Sequence, residues 1–171
     1  MATRINIISI KGIRGAKDSL ELPLNGKSIL LYGDNGTGKS TISDSIEWFY
    51  TNRVSHLSSN SEIDLKDALR NSALDTDDVS EVNISFIKQP NLDCSKTLFN
   101  KRDKLTTDFS NTSNDFKQYL EESKEENLLL RYQYLTDFID NTKGDKLKYL
   151  SDIIGFSEVT KKKEVLKKSY N

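Results

Sequence analysis

An α/β fold, with a mixed sheet gathered around one helix, is what this sequence predicts, on three observations. A glycine-rich run, Gly33-Asp34-Asn35-Gly36-Thr37-Gly38-Lys39-Ser40-Thr41, lies between a short apolar stretch and a segment of helical period. Four further stretches, Arg4–Ile10, Ser19–Leu24, Glu81–Ile87 and Cys94–Phe99, carry the β-branched or alternating pattern of strands. The end of the chain is charged and helix-favouring.

Taken in order, Arg4–Ile10 reads as a strand because Ile5, Ile7, Ile8 and Ile10 partly alternate with polar residues. Lys11-Gly12-Ile13-Arg14-Gly15 is a turn, and Ser19–Leu24 is a second strand ending at Pro23. Asn25-Gly26 signals a tight turn into a third strand, Ser28-Ile29-Leu30-Leu31-Tyr32, which runs into the glycine-rich loop. In Thr41–Tyr50, Ile42, Ile46, Phe49 and Tyr50 fall at i, i+4, i+7 and i+8, one face of a helix.

Residues 51–80 are rich in Ser, Asn and Asp around a short helical patch, Leu65–Leu74. Glu81–Ile87 alternates through Val82, Ile84 and Phe86, and Cys94–Phe99 is expected to pair with it across a Pro90-Asn91 turn. Residues 100–127, polar and charged, are expected to form a helix with mobile flanks. Leu128-Leu129-Leu130 reads as a short buried strand, followed by helical patterns at Leu135–Asp140 and Lys146–Ile154. From Phe156 onward the lysine-rich tail places Val159 and Leu166 seven apart, which is either the start of a coiled coil or an ordinary solvated helix. The expected division is a lobe over 1–155 and an outgoing helix over 156–171.

The glycine-rich run has the spacing G-x-x-x-x-G-K-[ST], a phosphate-binding P-loop, or Walker A motif. Gly33, Gly36 and Gly38 take backbone angles denied to other residues, so that N–H groups of the loop, Asn35, Thr37 and Thr41 among its members, wrap a phosphate chain at a helix N-terminus. Lys39 reaches the β- and γ-phosphates, and Ser40 offers its hydroxyl to magnesium. A nucleoside triphosphate with Mg2+ is the expected ligand.

The chain of 171 residues is long enough to bury a core, and 25 Lys plus Arg against 26 Asp plus Glu give no global pull towards nucleic acid or an anionic membrane. The single Cys94 cannot form an internal disulfide, and no apolar run is long enough for a membrane span or signal-peptide core, so a cytoplasmic protein without membrane partners is expected. His56 and Trp48, each the only residue of its kind, are read as a surface or core histidine and a packing tryptophan.

Hydrolysis needs more parts than a P-loop. No apolar strand ends in the Asp that would hold magnesium: Phe138-Ile139-Asp140 is too short, and Val82–Ile87 ends in Lys88. None of the eight glycines forms a Gly-Gly pair, so a Ser-Gly-Gly signature loop is missing too, and no catalytic residue is assigned in this chain. Asn100-Lys101-Arg102-Asp103 matches the guanine-reading N-K-x-D pattern, but its companion D-x-x-G occurs only at Asp152–Gly155, after it. Those four residues read as a turn.

The order strand, Lys11-Gly12-Ile13-Arg14-Gly15, strand, then Leu30–Thr41 with Asp44-Ser45-Ile46 resembles the N-terminal head segment of SMC/RecF-type ABC ATPases. The resemblance implies an ABC-type head lobe that ends in the start of a coiled coil, and it places Arg14 against the bound nucleotide. It makes Gln133 the nearest candidate for the magnesium-contacting Q-loop glutamine, although Arg131 or Tyr132 fits the strand end equally and Gln133 also reads as a surface polar group. It sets Arg70 at a basic, DNA-facing position of the family, against the reading of a solvated surface arginine.

In such a split head the signature loop and the Walker B acid belong to a C-terminal lobe. The implied partners are that lobe, a second head in a homodimer that sandwiches ATP, DNA, and in phage-defence relatives an effector nuclease. Repair, chromosome maintenance and anti-phage defence are the implied settings. Two other readings explain the P-loop: a small phosphotransferase such as a nucleotide or metabolite kinase, and a regulatory module that binds nucleotide without hydrolysing it. Against the kinase, Arg4, Arg14, Arg53, Arg70, Arg102 and Arg131 are scattered singly and form no lid.

Overall fold

The computed structural model describes residues 3–58, 64–102 and 104–125, together with residues 142 and 144. The chain divides into two compact units, 1–126 and 127–171, and the fold below is that of the first. The expected boundary between 155 and 156, the Leu128–Leu130 strand, the two helical patterns after it, Gln133 and the coiled-coil start all lie outside the described residues.

Strand β1 (Ile5–Lys11) is flanked by β2 (Leu20–Pro23) and β3 (Ser80–Phe86), and β4 (Cys94–Lys101) and β5 (Lys104–Phe109) extend the sheet in the order β2-β1-β3-β4-β5. All four pairings are antiparallel, so among the described residues the sheet is not the expected mixed one. The register sets one face inward. Leu22, Ile8, Ile84 and Cys94 lie opposite one another in one row, and Ile10, Val82, Lys96 and Phe109 in the next.

Against that face pack helix α1 (Lys39–Thr51) and helix α4 (Asn114–Glu125). Trp48 and Phe49 of α1 and Phe116 of α4 are fully buried, and the Phe49, Phe109 and Phe116 rings meet at centroid distances of 5.6–6.3 Å. Such ring pairs add about 0.5–1.5 kcal/mol each beyond burial. A hydroxyl pair, Tyr50 to Tyr119 at 2.8 Å, joins the two helices, and burial pushes the Tyr50 phenol far above its ordinary range. The tryptophan serves packing, as expected.

Between α1 and β3 run two short helices, α2 (Ser55–Ser58) and α3 (Leu65–Leu69). The buried Glu47 carboxylate accepts from the Ser55 N–H at 2.9 Å and from its hydroxyl, tying α2 to the P-loop helix. The helical patch stops at Leu69 instead of Leu74, because Arg70 pairs with Ile13 in an isolated bridge. The Arg70 guanidinium, half-buried, donates to the carbonyls of Leu74, Asp75 and Asp78 and so fastens its own loop.

Three expectations are corrected here. Residues 104–109 form strand β5 and only Asn114–Glu125 is helix, because the Thr-rich sequence pairs with β4 in a hairpin that polarity alone conceals. Of the N-K-x-D run, expected as a turn, Asn100 and Lys101 end β4 and Arg102 turns at φ 53°, while Asp103 lies outside the described residues. The run 28–32 does not join the sheet: none of its backbone groups makes a backbone–backbone hydrogen bond among the described residues. Helix α1 also buries Thr41, Asp44, Ser45 and Glu47, while Ile42 and Ile46 are only half-buried.

Candidate functional site

The P-loop starts where the extended run ends. Gly36 and Gly38 have φ 86° and 89°, and a side-chain carbon built on either would meet nothing within 4 Å, so the positive φ alone demands glycine there. Gly38 is the N-cap of α1, which turns the first N–H groups of the helix towards the loop. Asp34 receives the Thr37 hydroxyl on its carbonyl at 2.9 Å and the Thr37 N–H at 3.4 Å, closing the turn that contains Asn35 and Gly36. A loop of this shape at a helix N-terminus takes an anion.

Lys39 is folded over the loop. Its ammonium donates to the Gly33 carbonyl at 2.6 Å, the Asp34 carbonyl at 2.5 Å and the Thr37 hydroxyl at 3.3 Å. These acceptors hold the charge at the mouth of the loop, where phosphate oxygens would compete for the same donors. Ser40 is exposed in the first turn of α1. Thr41 instead turns inward, and its Oγ1 accepts the Gly15 N–H at 3.3 Å, so the turn after β1 leans on the loop's exit.

Arg14 belongs to that turn. Its backbone sits at φ 45°, with its N–H donating to the Leu69 carbonyl at 2.7 Å and its carbonyl accepting from the Asn71 side chain. The guanidinium reaches Asp44 Oδ2 at 2.9 Å and His56 Nε2 at 3.1 Å. Arg14 thus meets the P-loop helix at Asp44; the sequence reading set it against a bound nucleotide, and its partnership with Asp44 and His56 was not legible. The only hint was the position of Asp44 on the helix that follows the loop.

A cleft of about 580 Å³ opens beside the loop, lined by the apolar Ala16, Leu20, Leu22, Leu31, Tyr32 and Ile42 and by the polar Lys17, Asp18, Thr37, Lys39 and Thr41. Its size and mostly apolar walls suit a ligand with a flat apolar part attached to phosphates. Among the described residues no group of three or more His, Cys, Asp or Glu is placed to hold a metal, and no helix is long and apolar enough to cross a membrane.

Comparison with known proteins bears on the same residues. A family model described as an AAA domain (AAA_23) matches residues 8–170. A solved structure from work on the structural biochemistry of ATP-driven dimerization and DNA stimulated activation of SMC ATPases is similar at a TM-score of 0.65 and 15% identity, over 88% of this chain and 99% of that one. No curated protein matches. With a P-loop at the head of α1, a fold like that of the SMC ATPase structure, and a family match over nearly its whole length, the chain belongs to the AAA domain family.

Proposed function

We propose that this chain is the ATP-binding N-terminal half of an SMC/RecF-like ATPase head that acts on DNA, and that it hydrolyses ATP only when a C-terminal lobe and a second head complete the site. The observation that carries this reading is the apolar run entering the P-loop. Leu30 and Tyr32 are 93% and 98% exposed, Ile29 and Leu31 are exposed as well, and their backbone is unpaired among the described residues. Covering such side chains contributes about 1.5–3 kcal/mol each. A strand-shaped apolar segment of this kind calls for neighbouring strands, which a C-terminal lobe would supply.

In the bound state Lys39 would exchange the Gly33 and Asp34 carbonyls for β- and γ-phosphate oxygens, and Ser40 would meet Mg2+. The loop members Gly33, Asn35, Gly36, Thr37 and Gly38 would cradle the phosphates, with Thr41 bracing the loop through Gly15. Arg14 would brace the nucleotide, and Gln133 is the proposed second contact to magnesium. The SMC ATPases of the similar structure are described by ATP-driven dimerization and DNA stimulated activation. Carried to this chain, these make a second head and DNA its partners, in repair, chromosome maintenance or anti-phage defence, in the cytoplasm.

The test is nucleotide binding and turnover by purified chain. Wild type is expected to bind ATP weakly with negligible hydrolysis, Lys39→Ala to abolish binding, and addition of a C-terminal lobe to restore hydrolysis. Robust turnover by the chain alone would sink the split-head reading.

A further inference from the structure

Three exposed cations stand at one end of the sheet, carried by three different strands. Arg4 immediately precedes β1, Lys27 closes the turn after β2, and Lys88 lies just beyond β3. Backbone hydrogen bonds hold the three segments side by side: the Ile87 N–H donates to the Arg4 carbonyl at 2.9 Å, the Gly26 N–H to the Ile5 carbonyl at 2.9 Å, and the Lys27 N–H to the Leu24 carbonyl at 3.0 Å. The segments meet at Gly26. Its φ is 70°, and a side-chain carbon built on it would lie 2.6 Å from Ile87 Cδ1 and 3.3 Å from Arg4 Cδ. Glycine there lets the stem of Arg4 close on the immediate chain neighbours of Lys27 and Lys88.

No described carboxylate pairs with this charge. None of the three side chains makes an ion pair or a hydrogen bond with another described residue. The acids of the surrounding segments are placed elsewhere: Asp93 accepts the Phe86 N–H at 2.7 Å, Asp115 of α4 accepts from the Asn91 amide at 3.0 Å, and Glu21 stands opposite Ser9, five residues along β1 from Arg4. Lys88 adds a conformational sign. Its φ of 57° is a left-handed conformation that Asn and Gly take more readily, so the backbone there does not call for lysine, and the ammonium is what the residue contributes.

We propose that Arg4, Lys27 and Lys88 form a contact for the phosphate backbone of duplex DNA, at the end of β1 remote from the Arg14 turn. The proposal rests on the reading of this chain as half of a DNA-acting head and names the surface that would serve it. Cations fixed by strand ends neutralise phosphates without reading base sequence. Each such contact releases condensed counterions, so binding through the cluster falls steeply with salt. Three contacts account for about 2.7 of the slope of log affinity against log salt, equal to about 40-fold in affinity between 50 and 200 mM.

The test is fluorescence anisotropy of a labelled duplex of about 20 base pairs with the full chain, over that salt range. A cluster variant carries Arg4→Gln, Lys27→Gln and Lys88→Asn; a second variant loses the same charge at scattered exposed positions, Lys11→Gln, Lys117→Gln and Lys124→Gln. The expected result is that the cluster variant loses about 2.7 of the slope and about tenfold or more in affinity at 50 mM. The scattered variant keeps the wild-type slope, and the urea midpoint of the cluster variant, read by Trp48 fluorescence, is no lower than wild type because Asn suits the backbone at position 88. An unchanged slope in the cluster variant, or an equal loss in the scattered one, overturns the proposal while leaving the DNA reading of the head intact. Wild type that binds no duplex at 50 mM overturns both for this half of the head. Wild type held by vesicles of one-quarter phosphatidylserine but not by the duplex overturns it in favour of a lipid surface.

Discussion

Lys96 is 1% exposed, on the inner face of β4, and replacing it with methionine should remove a pH dependence from the stability of the fold. Its ammonium donates to the Trp48 carbonyl at 2.5 Å and the Phe49 carbonyl at 3.3 Å near the C-terminal end of α1, and lies 4.5 Å and 4.9 Å from the Trp48 and Phe109 ring centres. Burial, with a smaller contribution from the like charge of Lys124, lowers its pKa from 10.5 to about 7. Between those values the unfolded chain keeps a proton that the folded chain has shed. Stability therefore rises with pH across this window, and the penalty of the buried charge is fully present below pH 7. For a single group titrating at about 7 when folded and 10.5 when unfolded, the gain from pH 7 to pH 9 is about 2 kcal/mol.

Methionine keeps the length and the apolar stem but carries no charge. At pH 7 the loss of a donor for two helix carbonyls is offset by the loss of a costly buried ammonium, so the informative quantity is the slope. Urea unfolding followed by the fluorescence of Trp48, the only tryptophan, at pH 7, 8 and 9 measures it for both proteins. Cys94, whose thiol burial pushes up, is electrostatically coupled to Lys96, so both proteins are compared in a Cys94→Ser background. An equal rise of stability with pH in wild type and Lys96→Met would refute the reasoning.

Gly12→Ala is expected to cost about 1–3 kcal/mol, because its φ of 68° disfavours a side chain and the added carbon would sit 2.8 Å from Leu74 Cδ1 and 3.1 Å from the Ser80 backbone; a urea midpoint within error of wild type would contradict it. Phe116→Ala should cost about 3–5 kcal/mol by opening a cavity between Phe49 and Phe109. A loss below 1 kcal/mol would show that α4 is not part of the core.

The features legible in advance were those with local causes. Turn chemistry located the P-loop, since Gly36 and Gly38 occupy positions only glycine tolerates, and alternation located β1, β3 and β4 to within a residue or two. Features with distant causes were not legible. Strand β5 exists because Lys104–Phe109 pairs with β4, and its polar Thr and Asp residues mimic a surface helix. Nothing in the sequence singles out Lys96, but the register places it opposite the buried Val82 and beneath α1. His56 was read as an ordinary surface or core histidine because no ligand lies near it in sequence; its partners are 42 residues away in Arg14 and across the sharp bend after α1 in Asp44.

By itself, then, the sequence determined that a phosphate-binding loop leads a helix in an α/β fold, because spacing and backbone freedom are written residue by residue. Tertiary structure alone decided that, among the described residues, the strand expected before the loop stays out of the antiparallel sheet, that Lys96 is buried, and that one arginine is shared by a carboxylate and an imidazole. Each of these depends on which distant surfaces meet, and the free energy of that choice belongs to the packed whole, not to any short stretch of chain.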